Sequence, residues 1–262
     1  GLAWLTALRW LSDADTLPSL AVRWNTLWFA LTAVGVAAAT AQRPTGLAWG
    51  LAAGIATAVS LPLLAISTGG MESSLFCALM VWSLWAAGSR RYGWAGALGG
   101  LLAVTRPEGT LIAGLLAIRG LFSARRSPWR FWVPLVLPGL AWAAFATAYF
   151  GSPLPQSVLA KSLPLYSLAP GDALRRLLYM WGSSLAPVPP EAHVLLNVPP
   201  IRGALGAAAA LGSLALALWL VWRGLRSQIW IVPAAFASLM AFYALSNPLI
   251  LEWYLQPVFV AG

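Results

Sequence analysis

Three glutamates stand where carboxylates are costly. Only seven Asp and Glu residues occur among 262, and Glu72, Glu108 and Glu252 lie inside or beside long apolar runs. A carboxylate at mid-bilayer costs about 2.5–3.5 kcal/mol on insertion scales, so it persists where it has a partner or a task. Glu72 follows Gly69-Gly70-Met71 and precedes Ser73-Ser74. Glycines there admit close backbone approach, and a helix starting at about Met71 attracts an anion or orients a carboxylate. The plain alternative is a helix start whose Glu72 only offsets the dipole. Glu108 belongs to Thr105-Arg106-Pro107-Glu108-Gly109. The Arg106 guanidinium suits bidentate phosphate binding; a mutual ion pair with Glu108 at a short turn is the alternative. Glu252 opens Glu252-Trp253-Tyr254, where the aromatic pair also reads as an interfacial belt.

Lys161 is the single lysine beside fifteen arginines. A compact ammonium kept in an arginine-biased chain suits a phosphate, against chance retention. Asp13 and Asp15 bracket one residue and read first as a polar turn, second as a metal or catalytic pair. His193 and Cys77 are the only residues of their kinds, so a histidine-ligated metal cluster, an intrachain disulfide and a cysteine zinc site are excluded. The sixteen tryptophans read as interface and packing residues before sugar-stacking platforms.

Elements must hold these residues, and composition limits their kind. The chain is 60% hydrophobic and 9% charged, with mean hydropathy +0.77; a soluble domain carries about 25% charged residues. This points to an all-α, polytopic transmembrane helix bundle. The net charge of +9 is spread between apolar spans, as positive-inside loops would be, which argues against nucleic acid.

Gly1 to Leu11 is too short to span and suits an interfacial helix. Spans are expected at Leu20 to Ala41, Leu47 to Ser67 and Met71 to Ala87. Tyr92 to Val104 and Pro107 to Leu121 read as two short helices meeting at a membrane face, with Thr105 as cap, Pro107 in the first turn and Glu108 at the positive dipole end; a single kinked helix is the alternative. Trp132 to Phe150 spans again. A long proline-rich external loop, residues 151–202, holds short amphipathic helices, and Gly203 to Trp222 and Ile229 to Leu245 follow. A last span from Trp253 is cut short. The total is about eight to nine membrane segments in a single membrane domain, residues 1–262, read as an internal fragment of a longer chain. Arg43, Arg90, Arg91, Arg119 through Arg130, Arg223 and Arg226 alternate to one side, taken as the cytoplasm, while Arg9 and Arg23 fall outside that pattern. Glu72, Arg106, Glu108, Lys161 and Glu252 are then expected together at the other face.

Four motifs occur in order: Gly70-Met71-Glu72-Ser73-Ser74-Leu75-Phe76, Thr105-Arg106-Pro107-Glu108-Gly109, Tyr149-Phe150-Gly151-Ser152-Pro153-Leu154-Pro155-Gln156-Ser157 with Ala160-Lys161, and Glu252-Trp253-Tyr254. Together they resemble the GT-C superfamily of integral membrane glycosyltransferases, in its arabinofuranosyltransferase-like and protein O-mannosyltransferase-like groups. Gln156 stands where that pattern has asparagine.

The resemblance implies a multi-pass bacterial inner-membrane enzyme working at the external face. Its donor would be a polyprenyl-phosphate-linked sugar and its acceptor a cell-envelope glycan, lipid or protein. Glu72, Glu108 and Glu252 would serve catalysis, with Arg106, Lys161, Tyr149, Gln156 and Tyr254 on the substrate. The family's catalytic aspartate would lie upstream of Gly1, its role does not pass to Asp13 or Asp15, and the fragment alone is expected to be inactive. No cofactor is fixed; a divalent cation is the one candidate. The rival class is a multi-pass transporter or flippase of a lipid-linked or small hydrophilic substrate, which broken helices and embedded charges also suit. A structural scaffold would leave the acidic motifs idle.

Overall fold

The structure, a computed structural model, describes residues 17–42, 46–60, 63, 64, 67, 72–123, 128–153 and 230–246, with isolated positions between 208 and 222. The chain divides into two compact units, the first reaching Pro153 and the second beginning at Leu154. Among the described residues there are seven helices and no strand.

In the first unit these are α1 (Leu17–Ala41), α2 (Gly46–Ala58), α3 (Ser73–Gly88), α4 (Tyr92–Thr105), α5 (Gly109–Ser123) and α6 (Trp129–Phe150). Two segments, Ser19–Ala41 and Trp129–Phe150, are long and apolar enough to cross a membrane. The others, at 13 to 16 residues, are about 20–24 Å long against a hydrocarbon core of about 30 Å. A bundle of eight to nine full spans is therefore more than the described helices amount to. The expected continuous span from Leu47 to Ser67 is corrected: α2 ends at Ala58. Leu61-Pro62 follows, and a proline disfavours helical backbone in the residue before it and removes a helical donor.

α3 is the central helix. It is buried nearly all round, from Ser73 through Phe76, Cys77 and Met80 to Ala87, as an apolar helix without a polar face should be. α1 runs parallel to it. Gln42 Nε2 donates to Ser89 Oγ at 2.6 Å. Gly35 backs onto Val81 and Trp82, and Trp82 Nε1 donates to the Leu31 carbonyl at 3.0 Å. α5 is also parallel to α3: Ser73 meets Arg106 just ahead of α5, and Ala87 meets Arg119. α2 returns antiparallel along α1, with Gly46, Gly50 and Gly54 seated on the backbone and methyl groups of Ala33, Ala37 and Ala41. Small residues four apart on both partners let the axes approach closely.

α4 packs parallel to α6, and here the sequence of one helix answers that of the other. Pro134 and Pro138 lie inside α6. Each lacks the N–H that would bond four residues back, which releases the carbonyls of Arg130 and Pro134. Those carbonyls face α4 at Gly93 and Gly100; a side chain at Gly100 would intrude on the Pro134 carbonyl, and one at Gly93 would just touch that of Arg130. Glycine leaves room for Cα–H contacts to the released oxygens. α6 ends on Gly151, left-handed at φ 73°, which donates to the Thr147 carbonyl at 3.0 Å.

In the second unit α7 (Ile231–Ser246) buries Ile231, Ala235, Phe236, Leu239, Met240 and Tyr243. These fall on one helical face. Pro233 stands in its first turn, where no donor is needed.

Candidate functional site

The site forms where α4 stops. Thr105 Oγ1 donates to the Leu102 carbonyl at 2.7 Å and closes the last turn of α4. Arg106 is then extended, φ −149° and ψ 149°, as the following proline demands. A tight turn reverses the chain: Gly109 N donates to Arg106 O at 2.9 Å, Thr110 N to Pro107 O and Leu111 N to Glu108 O, both at 3.1 Å. Any side chain at Gly109 would collide with the Leu102 carbonyl. The two-helix reading of this break holds, with one correction. Thr105 ends α4 and does not cap α5, because the turn places it four residues before Gly109. Glu108 occupies the position before α5, where a carboxylate meets the positive dipole end.

The turn carries Arg106 against the start of α3. Its Nη1 donates to Ser73 Oγ at 2.9 Å, and its Nη2 donates to Glu108 Oε1 at 3.1 Å. The Phe76 ring lies 5.8 Å from the guanidinium carbon. Arg106 is 6% exposed and Glu108 3%. Burying one of these charges alone would be prohibitive; paired and hydrogen-bonded, they hold. Glu108 is thus a partner that fixes Arg106. Both terminal nitrogens of Arg106 are engaged by protein, so a phosphate reaching it must share or displace one of those contacts.

Glu72 also stands just before a helix, but its carboxylate is not paired as that of Glu108 is. It is the residue before α3, with helical backbone (φ −65°, ψ −3°) and no side-chain cap bond. Its carboxylate is half-buried and, among the described residues, has neither hydrogen bond nor ion pair. One peptide bond away, Ser73 holds Arg106. The structure therefore puts Glu72, Arg106 and Glu108 at one end of the first unit.

Two polar residues here had no role in the sequence reading, although Ser73 lies in one of its motifs. Ser73 is fully buried and receives the arginine. Asn25 is 2% exposed, and its Nδ2 has no hydrogen-bond partner. Gln42 pairs with Ser89, and Gly35 touches Val81 and Trp82, so residues of α1 and α3 meet at a steady separation. The same separation sets Asn25 level with Glu72. A signal existed: Asn25 is the only carboxamide in α1.

Tyr149 is not brought to this group. Leu135 of α6 is level with Gly100 of α4. Counting 1.5 Å per residue from there, Tyr149 lies about 12 Å beyond the level of Arg106. It is exposed and stacks on Phe145 at 5.6 Å. Lys161, Gln156, Glu252 and Tyr254 lie outside the described residues, as do Asp13, Asp15 and His193. Among the described residues no three His, Cys, Asp or Glu side chains gather as a metal site. Compared with known protein families, curated proteins and solved structures, the chain finds no match.

The opposite end of the unit is arginine-rich. Arg119 Nη2 donates to the Ala87 carbonyl at 3.0 Å, a cation at the negative end of the α3 dipole. Arg90 holds φ 58° in the turn to α4, and Arg91 lies over the Trp85 ring at 4.8 Å. Arg90 and Arg91 are thus exposed at one end, and Glu72 lies half-buried at the other, where α1 also carries the exposed Arg23.

Proposed function

We propose that this chain belongs to a polytopic membrane glycosyltransferase of the GT-C kind, moving a sugar from a polyprenyl-phosphate donor to a cell-envelope acceptor at the non-cytoplasmic face. The observation that carries it is the 2.9 Å contact between Arg106 and Ser73. It brings a cation from one motif within a residue of the carboxylate of another.

Embedding is supported by apolar surface left outward. Trp49, Leu47, Ile55, Val133, Leu137 and Leu140 are all exposed on α2 and α6, and only 11% of the α6 span is buried. A soluble core helix would be covered. The exposed Arg90 and Arg91 in the turn between α3 and α4 suit a cytoplasmic position by the positive-inside rule, with Arg23 outside that pattern.

In the proposed reaction the acceptor hydroxyl oxygen bonds to the anomeric carbon of the sugar. The bond from that carbon to the phosphate oxygen breaks, and polyprenyl phosphate leaves with the electron pair. The acceptor proton goes to a carboxylate. Glu72 has the free oxygens to receive it or to orient the hydroxyl for a base elsewhere. Arg106 supplies fixed positive charge near the leaving phosphate, which counts for more in a water-poor site. Asn25, level with Glu72, has an amide N–H to offer a sugar hydroxyl. Lys161, Gln156, Glu252 and Tyr254 keep their proposed substrate and catalytic roles, and a divalent cation remains a candidate cofactor.

The test is donor choice. The complete protein in mixed micelles is given radiolabelled polyprenyl-phosphate pentose, polyprenyl-phosphate hexose and the matching sugar nucleotides. Transfer from a polyprenyl phosphate alone supports the proposal. Transfer from sugar nucleotides alone removes it. Passage of intact lipid-linked sugar across sealed vesicles, without transfer, establishes the flippase instead.

A further inference from the structure

A cavity in the first unit opens beside Arg91 and runs along α3 as far as Ala78 and Trp28. It is about 270 Å³ and is lined almost wholly by apolar atoms. It is lined by Ala78, Leu79 and Ala86 of α3, Leu31 of α1, Leu98 of α4 and Arg91. Four indoles complete it: Trp28, Trp82, Trp85 and Trp94. The walls are fixed before any ligand arrives. Trp82 is tied to the Leu31 carbonyl, and Trp82 and Trp85 meet edge to face at 5.2 Å. Arg91 is laid over Trp85 yet stays exposed.

We propose that this groove binds one acyl chain of an anionic glycerophospholipid, with the lipid phosphate on Arg91. Three observations select that occupant. The volume is at the small end for ligand pockets, which suits a chain segment rather than a compact metabolite. The lining offers hydrocarbon and indole faces but few polar atoms, which favours an apolar occupant over a sugar. The one cation stands at the rim, in the turn between α3 and α4, where a phosphate at the membrane surface would lie above a chain running inward along α3. Basic pockets between helices hold anionic headgroups by this pairing of charge and hydrocarbon. The inference rests on the membrane reading above, but not on the sugar-transfer reading, whose residues do not line the groove.

The experiment uses the complete protein in mixed micelles with photoactivatable phosphatidylglycerol or phosphatidylcholine bearing the same diazirine-labelled acyl chain. Cross-linked peptides are mapped. The expected result is labelling of the 78–98 stretch, with phosphatidylglycerol favoured about fivefold, the preference one arginine at a surface confers. Arg91→Gln should remove that preference, and Arg91→Lys should keep most of it. Leu98→Trp, which fills the groove, should abolish labelling of this stretch by both lipids while helicity is unchanged. Equal labelling by the two lipids in the wild type overturns the proposal, as does undiminished labelling in Leu98→Trp. Retention in carbonate-washed membranes is scored separately, so a failure of embedding is not confused with a failure of the groove.

Discussion

Arg106 and Ser73 are joined by a 2.9 Å hydrogen bond across 33 residues of chain. The bond locks the break between α4 and α5 onto the first residue of α3. Everything proposed for the site follows from that lock, because it fixes where Glu72 emerges, its carboxylate without a partner among the described residues.

The ion pair should behave as a buried pair. Glu108→Leu alone strands the Arg106 charge and should cost about 3–5 kcal/mol, while Glu108→Leu with Arg106→Met should recover most of the loss. A double-mutant cycle by reversible unfolding in detergent checks this. Additive losses would mean that the two groups act independently.

Glu72 should be reachable and Cys77 should not. Cys77 is fully buried and a structural thiol of this kind is inert. The wild type should therefore resist a membrane-impermeant maleimide until denatured. In a Cys77→Ala background, Glu72→Cys should label in intact cells and Ser89→Cys only after permeabilisation. Labelling of both in intact cells would break the assigned orientation.

The glycines of α4 should divide from those in open space. Gly100→Val drives a side chain into the α6 carbonyls and should cost about 1–3 kcal/mol by overpacking. Gly114 and Gly139 have nothing within 4 Å. Gly114→Ala and Gly139→Ala should gain up to about 1 kcal/mol of helix propensity. Thermal midpoints of the three variants decide it.

Asn25 should trade stability for binding. Its amide nitrogen lacks a partner, and an unsatisfied buried polar group costs about 1–3 kcal/mol. Asn25→Leu should raise stability within that range and raise the acceptor KM. Unchanged stability with unchanged KM would leave the amide with no role in the site.

Much of the fold was legible because its signals are local. Apolar runs marked the described helices, and Thr105-Arg106-Pro107-Glu108-Gly109 marked a break that proline and glycine enforce on any chain. The fate of each charge was less legible. Glu72 and Glu108 look alike as glutamates beside apolar helices, yet one is buried on an arginine and the other is open. Only the turn at Gly109 decides which reaches Arg106. Tyr149 shared a motif with Gln156, but α6 runs past the level of Arg106 and carries it away. Asn25 was passed over because its neighbours are those of a membrane helix; its level beside Glu72 comes from the parallel packing of α1 on α3, which sequence does not announce. The proline and glycine match between α6 and α4 was likewise invisible until the two helices were seen to run side by side.

The most direct test compares sugar transfer from a polyprenyl-phosphate donor by the complete wild-type protein and by its Glu72→Gln variant, at equal expression and equal helicity. The account predicts a fall of about 10²–10⁴-fold, the range for losing a positioned carboxylate, with donor binding retained. Wild-type turnover in the Glu72→Gln protein would contradict it.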